Sequence, residues 1–165
     1  ESSIYRYFES KHKLLVYLTA WYWAWIEYQF VFETANMNDP LERLKRGIKV
    51  VTRATMEDSN FDHINEVKLH NIIINENSKS FLTKDVDEEN KQGHFKMYKR
   101  VVLRIKDLIT DVNPEYPYSS SLSSTILEGS LHQYFLKDHL PTITDCKDST
   151  TPTNFSIDLV TRILK

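Results

Sequence analysis

Apolar residues recur at three- and four-residue spacing along most of this chain, which is the pattern of amphipathic α-helices. The first such segment runs from Lys11 to about Thr34, and Ser10 stands where an N-cap is expected. A second predicted helix starts near Pro40, with Asp39 as its cap. The apolar stripe of the first helix contains Leu14, Leu18, Trp21, Trp25, Tyr28 and Phe32.

Further helices follow from the same spacing. One is predicted from about Asp62, one through residues 95–112, one over residues 119–140 and a last one from about Thr153. Residues 75–90 are polar and acidic, which predicts a loop or a frayed entry to the next helix. The pattern therefore predicts an all-α domain of about six helices, without internal repeats.

Glycine and cysteine usage removes several classes of function. The three glycines, Gly47, Gly93 and Gly129, are far apart, so the chain has no glycine-rich loop that could cradle a phosphate or a dinucleotide. One cysteine, Cys146, excludes an internal disulfide and fits a reducing compartment, so a cytoplasmic location is expected. No serine elbow or metal motif positions a nucleophile or a base. We therefore expect neither an enzyme nor a bound cofactor.

A membrane span is not expected either. The longest uncharged run covers residues 14–26, and these 13 residues form a helix of about 20 Å. The hydrocarbon core of a bilayer is about 30 Å thick, so the run is too short to cross it.

The N-terminal residues carry a resemblance to a known family. Residues 2–15 read SSIYRYFESKHKLL, in which a Tyr-x-x-Phe element (Tyr5, Phe8) is followed by Ser-Lys-x-x-Leu, beginning at Ser10 and ending at Leu14. This segment resembles the end of the helix-turn-helix in TetR-family bacterial transcriptional regulators. A weaker resemblance, at residues 133–144, is to the end of the penultimate helix in one subgroup of that family.

The resemblance implies a division of the chain and a role in DNA binding. Residues 1–10 would be the remnant of a helix-turn-helix, and residues 11–165 would be an effector-binding and dimerisation domain with a TetR-like helical fold. Two helices should precede residue 1, so the residues given are expected to be a fragment whose DNA-binding head is incomplete. Phe8 would pack inward. The residues expected to contact operator DNA are Ser2, Ser3, Tyr5, Tyr7 and Lys11.

Charge agrees with DNA contacts that are local to the head. The formal net charge is −2, which gives no basic footprint for nucleic acid over the chain as a whole. The resemblance thus implies a ligand-responsive DNA-binding regulator, expected to be a repressor. An alternative is a helical protein-interaction module without DNA binding, and the sequence upstream of residue 1 would distinguish the two.

In the family, the last two helices of each subunit pair to form a homodimer. Small residues near the middle of the predicted 119–140 helix would allow a partner helix to approach closely. Each of these helices has apolar residues on two sides, of which one side must be core. The residues expected at the dimer interface are Leu122, Ile126, Gly129, Phe155, Leu159 and Ile163.

Aromatic residues suggest where an effector would bind. Small-molecule sites are mostly apolar with few polar groups, so a small hydrophobic or aromatic effector is expected between the long first helix and the later ones. Aromatic side chains at helical spacing also occur simply as core, and both interpretations stay open for each residue. The candidate pocket residues are Trp21, Tyr22, Trp25, Tyr28, Tyr98 and Tyr134.

Two charged patterns are interpreted as solvated helix faces. His63, Glu66 and His70 share one face, but the first and last are about 10 Å apart along the axis, which is too far for one metal ion. No metal site is therefore expected. A run of cations also has no acid within it, and we expect it to face solvent rather than nucleic acid. Its members are Lys91, Lys96, Lys99, Arg100, Arg104 and Lys106.

Overall fold

The computed structural model describes residues 6–54 and 65–165, in which the regular elements are helices and no β-strand occurs. The predicted all-α fold class is thereby confirmed for these residues. The α-helices are α1 (Lys11–Thr34), α2 (Pro40–Thr52), α3 (Glu66–Phe81), α4 (Val86–Lys91), α5 (Lys96–Val112), α6 (Ser119–His139) and α7 (Thr151–Ile163). A 3₁₀ turn at Pro141–Ile143 follows α6.

The first two helices begin where their capping residues predict. The Ser10 Oγ accepts a hydrogen bond from the Lys13 amide at 3.1 Å. The Asp39 Oδ1 likewise accepts from the Glu42 amide at 2.8 Å, ahead of Pro40 in the first helical position. Each cap satisfies a backbone donor that has no partner inside the helix.

The prediction of a loop or a frayed helix entry over residues 75–90 is wrong for residues 75–81, which belong to α3, while residues 82–85 do form a turn. Helix α3 continues to Phe81, and α4 occupies residues 86–91. The polar residues of this segment are not all solvated, since Asn77, Ser80 and Glu89 are buried. Most of the other polar residues of the segment are exposed, as expected for the solvent-facing sides of α3 and α4. The predicted start of the third helix near Asp62 lies outside the described residues.

Helix α1 is the central element of the packing. It lies against α2, α3 and α5, while α6 packs on α5, α3, α2 and α7. Its residues Tyr22, Trp23, Ile26 and Phe30 are buried in the core, because three neighbours cover a helix that is apolar on most of its circumference. No helix in the described parts of the chain is both long and apolar enough to cross a bilayer.

Gly47 lies where α2 approaches its neighbours most tightly. A Cβ added there would be 2.7 Å from the Phe30 Cε2 and 3.0 Å from the Leu108 Cδ1. We expect Gly47→Ala to lower the free energy of unfolding by about 1 kcal/mol, because the overpacking outweighs the better helix propensity of alanine. Urea denaturation measures this change.

The control for this prediction is Gly129→Ala in α6, with both glycine variants measured in the Phe155→Glu background, because Gly129 belongs to the dimer face proposed below. A Cβ at Gly129 meets nothing within 4 Å, so helix propensity alone should raise the stability of the folded chain by about 0.5–1 kcal/mol. A Gly47→Ala variant as stable as the Gly129→Ala variant would contradict the tight packing.

Candidate ligand-binding site

The buried face of α3 carries polar residues at positions where a core helix normally carries apolar ones. Glu66, His70 and Asn77 share this face with Leu69 and Ile73. The Glu66 side chain is only 1% exposed, and His70 and Asn77 are also buried. Because α3 packs against α1 and α6, these three polar side chains lie in the interior of the helical body.

His70 is held between two tyrosines from different helices. Its Nδ1 is 2.9 Å from the Tyr22 hydroxyl, and its ring meets the Tyr134 ring edge-on at 5.8 Å. The Tyr134 hydroxyl is 2.9 Å from the backbone oxygens of Thr52 and Ser149, which fixes this wall. Burial lowers the pKa of His70 to about 4. The imidazole is therefore neutral at neutral pH, with one donor and one acceptor nitrogen.

A second set of polar contacts lies farther along α3. The Tyr98 hydroxyl donates to the Glu128 Oε1 at 2.7 Å, and the Asn77 Nδ2 donates to the two Glu128 oxygens at 3.3 and 3.2 Å. Burial raises the pKa of the Glu128 carboxyl, although both hydrogen bonds oppose that shift. The Tyr98 ring packs against Trp23 at 5.2 Å and is stacked with Phe81 at 6.2 Å.

Several buried polar atoms of α1 and α3 have no hydrogen-bond partner among the described residues. Leaving such an atom unsatisfied costs about 1–3 kcal/mol, so ordered water or a ligand is expected to supply partners to a group of them. Glu66 takes part in none of the ion pairs or hydrogen bonds found in the described ranges. The atoms are Thr19 Oγ1, Trp23 Nε1, Glu66 Oε1, His70 Nε2 and Asn77 Oδ1.

We refer to these residues and their aromatic surroundings as the polar cluster. Its position inside the body, at the junction of α1, α3, α5 and α6, makes it the candidate ligand-binding site. Small-molecule sites combine apolar and aromatic walls with a few placed polar groups, and the polar cluster has that composition. Its members are Thr19, Tyr22, Trp23, Glu66, His70, Asn77, Tyr98, Glu128 and Tyr134.

The structure places three of the six predicted pocket residues, Tyr22, Tyr98 and Tyr134, in the polar cluster. Trp25 is partly buried with its ring 6.2 Å from that of Tyr22, and Trp21 is partly buried against the core. The prediction for Tyr28 is wrong, because this side chain is 69% exposed. Tyr28 follows Tyr22 by six residues, which turns it about 240° around the helix axis and away from the site.

Sequence reasoning missed the polar half of the site. Its interpretation of Glu66 and His70 as a solvated face is wrong, since both side chains are buried. His63, the third residue of that pattern, lies outside the described residues. In the described ranges, no three His, Cys, Asp or Glu side chains are grouped so as to hold a metal ion. A signal was present in Asn77, which lies two helical turns after His70 on the same face of α3 and is also buried.

An open groove lies at the other end of α1. It has a volume of about 690 Å³ and runs between the N-terminal residues, the first half of α1 and the turn that joins α4 to α5. Gly93 allows that turn with a φ of +87°. The groove is lined by Tyr7, Phe8, Glu9, Lys13, Val16, Tyr17, Ala20, Gln92, Gly93, His94, Lys96 and Met97.

A buried carboxylate fixes the first turn of α1 to α4 beside this groove. Glu89 accepts from the Lys13 Nζ at 2.9 Å, and both of its oxygens lie 3.0 Å from the His12 Nε2. Burial alone would raise the pKa of Glu89, but the hydrogen bonds with His12 and Lys13 leave it below its ordinary value. The end of α1 that adjoins residues 1–10 is thus held to the body by charge.

The N-terminal residues predicted to contact DNA are only partly described. Tyr7 is 80% exposed, and Lys11 is exposed at the first position of α1. Phe8 is half-buried, and its ring centroid lies 5.4 Å from that of Tyr17, an exposed residue of α1. The remaining candidates lie outside the described residues: Ser2, Ser3 and Tyr5.

The predicted dimer residues divide between surface and core. On α7, Phe155 is 60% exposed and Ile163 is also exposed, while Leu159 is partly buried. Together with Gly129 of α6, Phe155 and Leu159 line a surface cavity of about 60 Å³ between the two helices. We refer to Gly129, Phe155, Leu159 and Ile163 as the α6–α7 face.

Leu122 and Ile126 do not belong to that face. They are 6% and 2% exposed and lie in the core cluster, so predicting them as interface residues is wrong. Helix α6 is apolar on two sides, and these two residues lie on the side that covers the body.

The cation run of α4 and α5 is only partly a solvated face. Arg100 and Arg104 each donate through Nε to the Glu27 Oε1, at 2.9 and 2.8 Å. Glu27 belongs to α1 and is buried, so the two arginines neutralise an interior carboxylate. The exposed members of the run are Lys91, Lys96, Lys99 and Arg100.

No protein-family model, curated protein or solved structure matches this chain. Its own residues and their geometry are therefore the grounds for assigning a function.

Proposed function

We propose that this protein is a ligand-responsive, DNA-binding transcriptional regulator of the TetR type that acts by binding rather than by catalysis. Residues 11–165 form its effector-binding and dimerisation domain, and residues 1–10 are the end of its helix-turn-helix. The observation that carries the proposal is the polar cluster, a set of unpartnered buried polar atoms inside an all-α body. The Tyr5-to-Leu14 motif, which resembles the end of a regulator's DNA-binding head, leads directly into that body.

Helix α1 is the element that would carry a signal from effector to DNA. It begins at Lys11, directly after the helix-turn-helix remnant, and contributes Thr19, Tyr22 and Trp23 to the polar cluster. A ligand that fits the cluster best with α1 displaced shifts the protein toward that arrangement, by no more than its difference in affinity for the two. Because α1 is one continuous helix of 24 residues, its displacement would move residues 6–10, which directly precede it.

Operator binding tests the proposal. We expect the full-length gene product to bind its own promoter with a sequence preference and with an affinity that falls steeply as salt rises. Fluorescence anisotropy of labelled promoter fragments over a salt series measures both properties. Lys11→Ala should weaken binding to all sequences and reduce the salt slope by about one.

The matched control is Lys79→Ala. Lys79 lies on α3 and pairs with Glu76, so its loss should leave DNA affinity unchanged. Promoter and unrelated DNA bound with equal affinity at every salt concentration would contradict the proposal.

Dimerisation through the α6–α7 face is a separate prediction. Phe155→Glu places a charge on an exposed position of that face, so the fold should tolerate it while a partner helix should not. We expect wild-type protein to sediment at twice the 19.5 kDa chain mass, and the variant to sediment as a monomer at micromolar concentration. Leu82→Glu, at an exposed apolar position after α3, is the control and should stay dimeric. A wild-type monomer, or an unchanged Phe155→Glu dimer, would overturn this interface.

A second candidate function is a helical interaction module that binds a protein and no DNA. The observation that favours it is an exposed apolar stripe on α1, formed by Tyr17, Tyr28, Val31 and Phe32. Large exposed apolar patches often mark interaction sites. The promoter titration separates the two candidates, since the module requires no salt-dependent DNA binding, and a domain other than a helix-turn-helix upstream of residue 1 would favour it.

A further inference from the structure

The polar cluster also carries information about the chemistry of its ligand. We infer that the ligand is an organic cation, a compound with an ammonium or amidinium group on an aromatic body, whose charge pairs with Glu66. This inference deepens the proposed function. It rests on that function in one respect, namely that the ligand of the polar cluster is taken to be the effector.

Glu66 is the main argument for a cation. Its side chain is 1% exposed and its Oε1 has no partner among the described residues. Moving a carboxylate out of water is costly unless a cation or several donors compensate it. His70, one turn along α3, does not supply that charge, because its imidazole is neutral at neutral pH. Elsewhere in the described ranges, buried carboxylates do have cations: Glu27 has two arginines, and Glu89 has Lys13.

The other unpartnered atoms favour a ligand that donates hydrogen bonds. Asn77 gives its amide hydrogens to Glu128, which leaves the Oδ1 as a free acceptor. Glu128 adds a second carboxyl group at the Asn77 end of the polar cluster, eleven residues along α3 from Glu66. The Trp23 Nε1 is the one unpartnered group of the cluster that can only donate. A lining so rich in acceptors and acidic groups repels an anion and accepts N–H donors.

Aromatic walls complete the description. The Tyr22 and Tyr134 rings flank His70, one turn from Glu66, and Trp23 packs against Tyr98 at the other end of the cluster. The face of an aromatic ring attracts an organic cation, and this attraction strengthens when water is excluded. An inorganic cation such as Ca²⁺ or Mg²⁺ instead requires several oxygen ligands around one point. An organic cation with a flat hydrophobic body therefore matches the site better.

Three probes with the same ring and different charge test the inference. Isothermal titration calorimetry on the purified protein compares 2-naphthylmethylammonium, the neutral 2-naphthylmethanol and the anionic 2-naphthoate at pH 7.5. We expect the ammonium to bind at least tenfold more tightly than the alcohol, and the naphthoate to bind no more tightly than the alcohol. This ranking needs no variant and so does not depend on whether a mutant folds.

Glu66→Gln then tests whether the preference for the ammonium comes from the carboxylate of Glu66. The variant should bind the ammonium at least tenfold more weakly than wild type, while its affinity for the alcohol stays within twofold. Without ligand it should melt no lower than wild type, because the Glu66 Oε1 has no partner among the described residues whose hydrogen bond the amide would lose. Glu76→Gln, on the same helix and paired with Lys79 at the surface, is the matched control and should bind all three probes as wild type does.

Several outcomes would overturn the inference. These are an ammonium that binds no better than the alcohol, an ammonium that does not bind at millimolar concentration, and a folded Glu66→Gln variant with unchanged affinity. A Glu66→Gln variant that melts lower than wild type would show that the carboxylate has a structural partner, and would equally overturn it. The calorimetry contains no DNA, so failure here leaves the promoter titration intact. Failure of promoter binding in turn leaves the probe ranking intact.

Discussion

Replacing Arg100 and Arg104 together with methionine is expected to lower the free energy of unfolding by about 3 kcal/mol. Both arginines donate to one oxygen of Glu27, which is buried on α1. The double substitution leaves that carboxylate in the interior without a cation, and removing one side of a buried ion pair is far more costly than the pair is stabilising. The arginines are themselves partly exposed, which sets the expected loss near the lower end of the usual range. Urea denaturation at neutral pH measures it.

The control adds Glu27→Met to the double variant. With the carboxylate gone, no charge is left uncompensated, and we expect the triple variant to recover to within about 1 kcal/mol of wild type. Lys96→Met on the same helix, at an exposed position, should change stability by less than about 0.5 kcal/mol. A double variant as stable as wild type would mean that the cation run is a solvated face throughout.

Acidification from pH 7 to pH 5 is expected to remove about 2 kcal/mol of stability through His70 alone. Burial lowers the pKa of His70 in the folded chain to about 4 from an ordinary value of 6.5. The unfolded chain therefore takes up a proton as the pH falls through 6.5, while the folded chain does not. Stability from this group is fully present above pH 6.5 and decreases as the pH falls to about 4. Urea midpoints at pH 7, 6 and 5 measure the slope.

His70→Gln is the informative variant for this prediction. It should flatten the dependence of the free energy of unfolding on pH between pH 7 and pH 5, whatever its effect on stability at pH 7. His132→Gln, at an exposed position of α6, should leave the slope as in wild type. Two other groups add acid sensitivity only at lower pH, since the ordinary pKa values of Glu89 and Asp148 are 4.5 and 3.8 and both are lowered in the folded chain. A wild-type slope retained by the His70→Gln variant would mean that the imidazole is charged inside the fold.

The helices were predictable because the features that determine them, apolar spacing and capping residues, are local in the sequence. Apolar spacing placed α1, α2 and α5 close to their observed bounds, and Ser10 and Asp39 mark the first two starts by hydrogen bonds to amides three residues away. Such signals lie within one turn of the residue concerned, so a single sequence contains them. The burial of Tyr22 and Tyr134 and the partial burial of Tyr98 were predictable in the same way, since these residues stand on helical stripes that face inward.

The polar residues of the candidate site could not be predicted from the sequence, because their burial depends on contacts between helices that are far apart in the chain. Tyr98 and Glu128 are 30 residues apart, and Arg100 is 73 residues from Glu27. A polar residue in a helix is normally solvated, so burial of Glu66 and His70 is apparent only once α1 and α6 are in place. The same reason accounts for the wrong part of the loop prediction, residues 75–81, where Asn77 and Ser80 are polar but buried.

In the proposed regulator, occupation of the polar cluster controls DNA binding by the helix-turn-helix. The most direct measurement is fluorescence anisotropy of the labelled promoter with the full-length protein, titrated with 2-naphthylmethylammonium, for wild type and Glu66→Gln. We predict that both proteins bind the promoter equally well, that the ammonium releases DNA from wild type, and that Glu66→Gln requires at least tenfold more of it. Promoter affinity that is unchanged at saturating ammonium, or release that is the same for both proteins, would contradict the account.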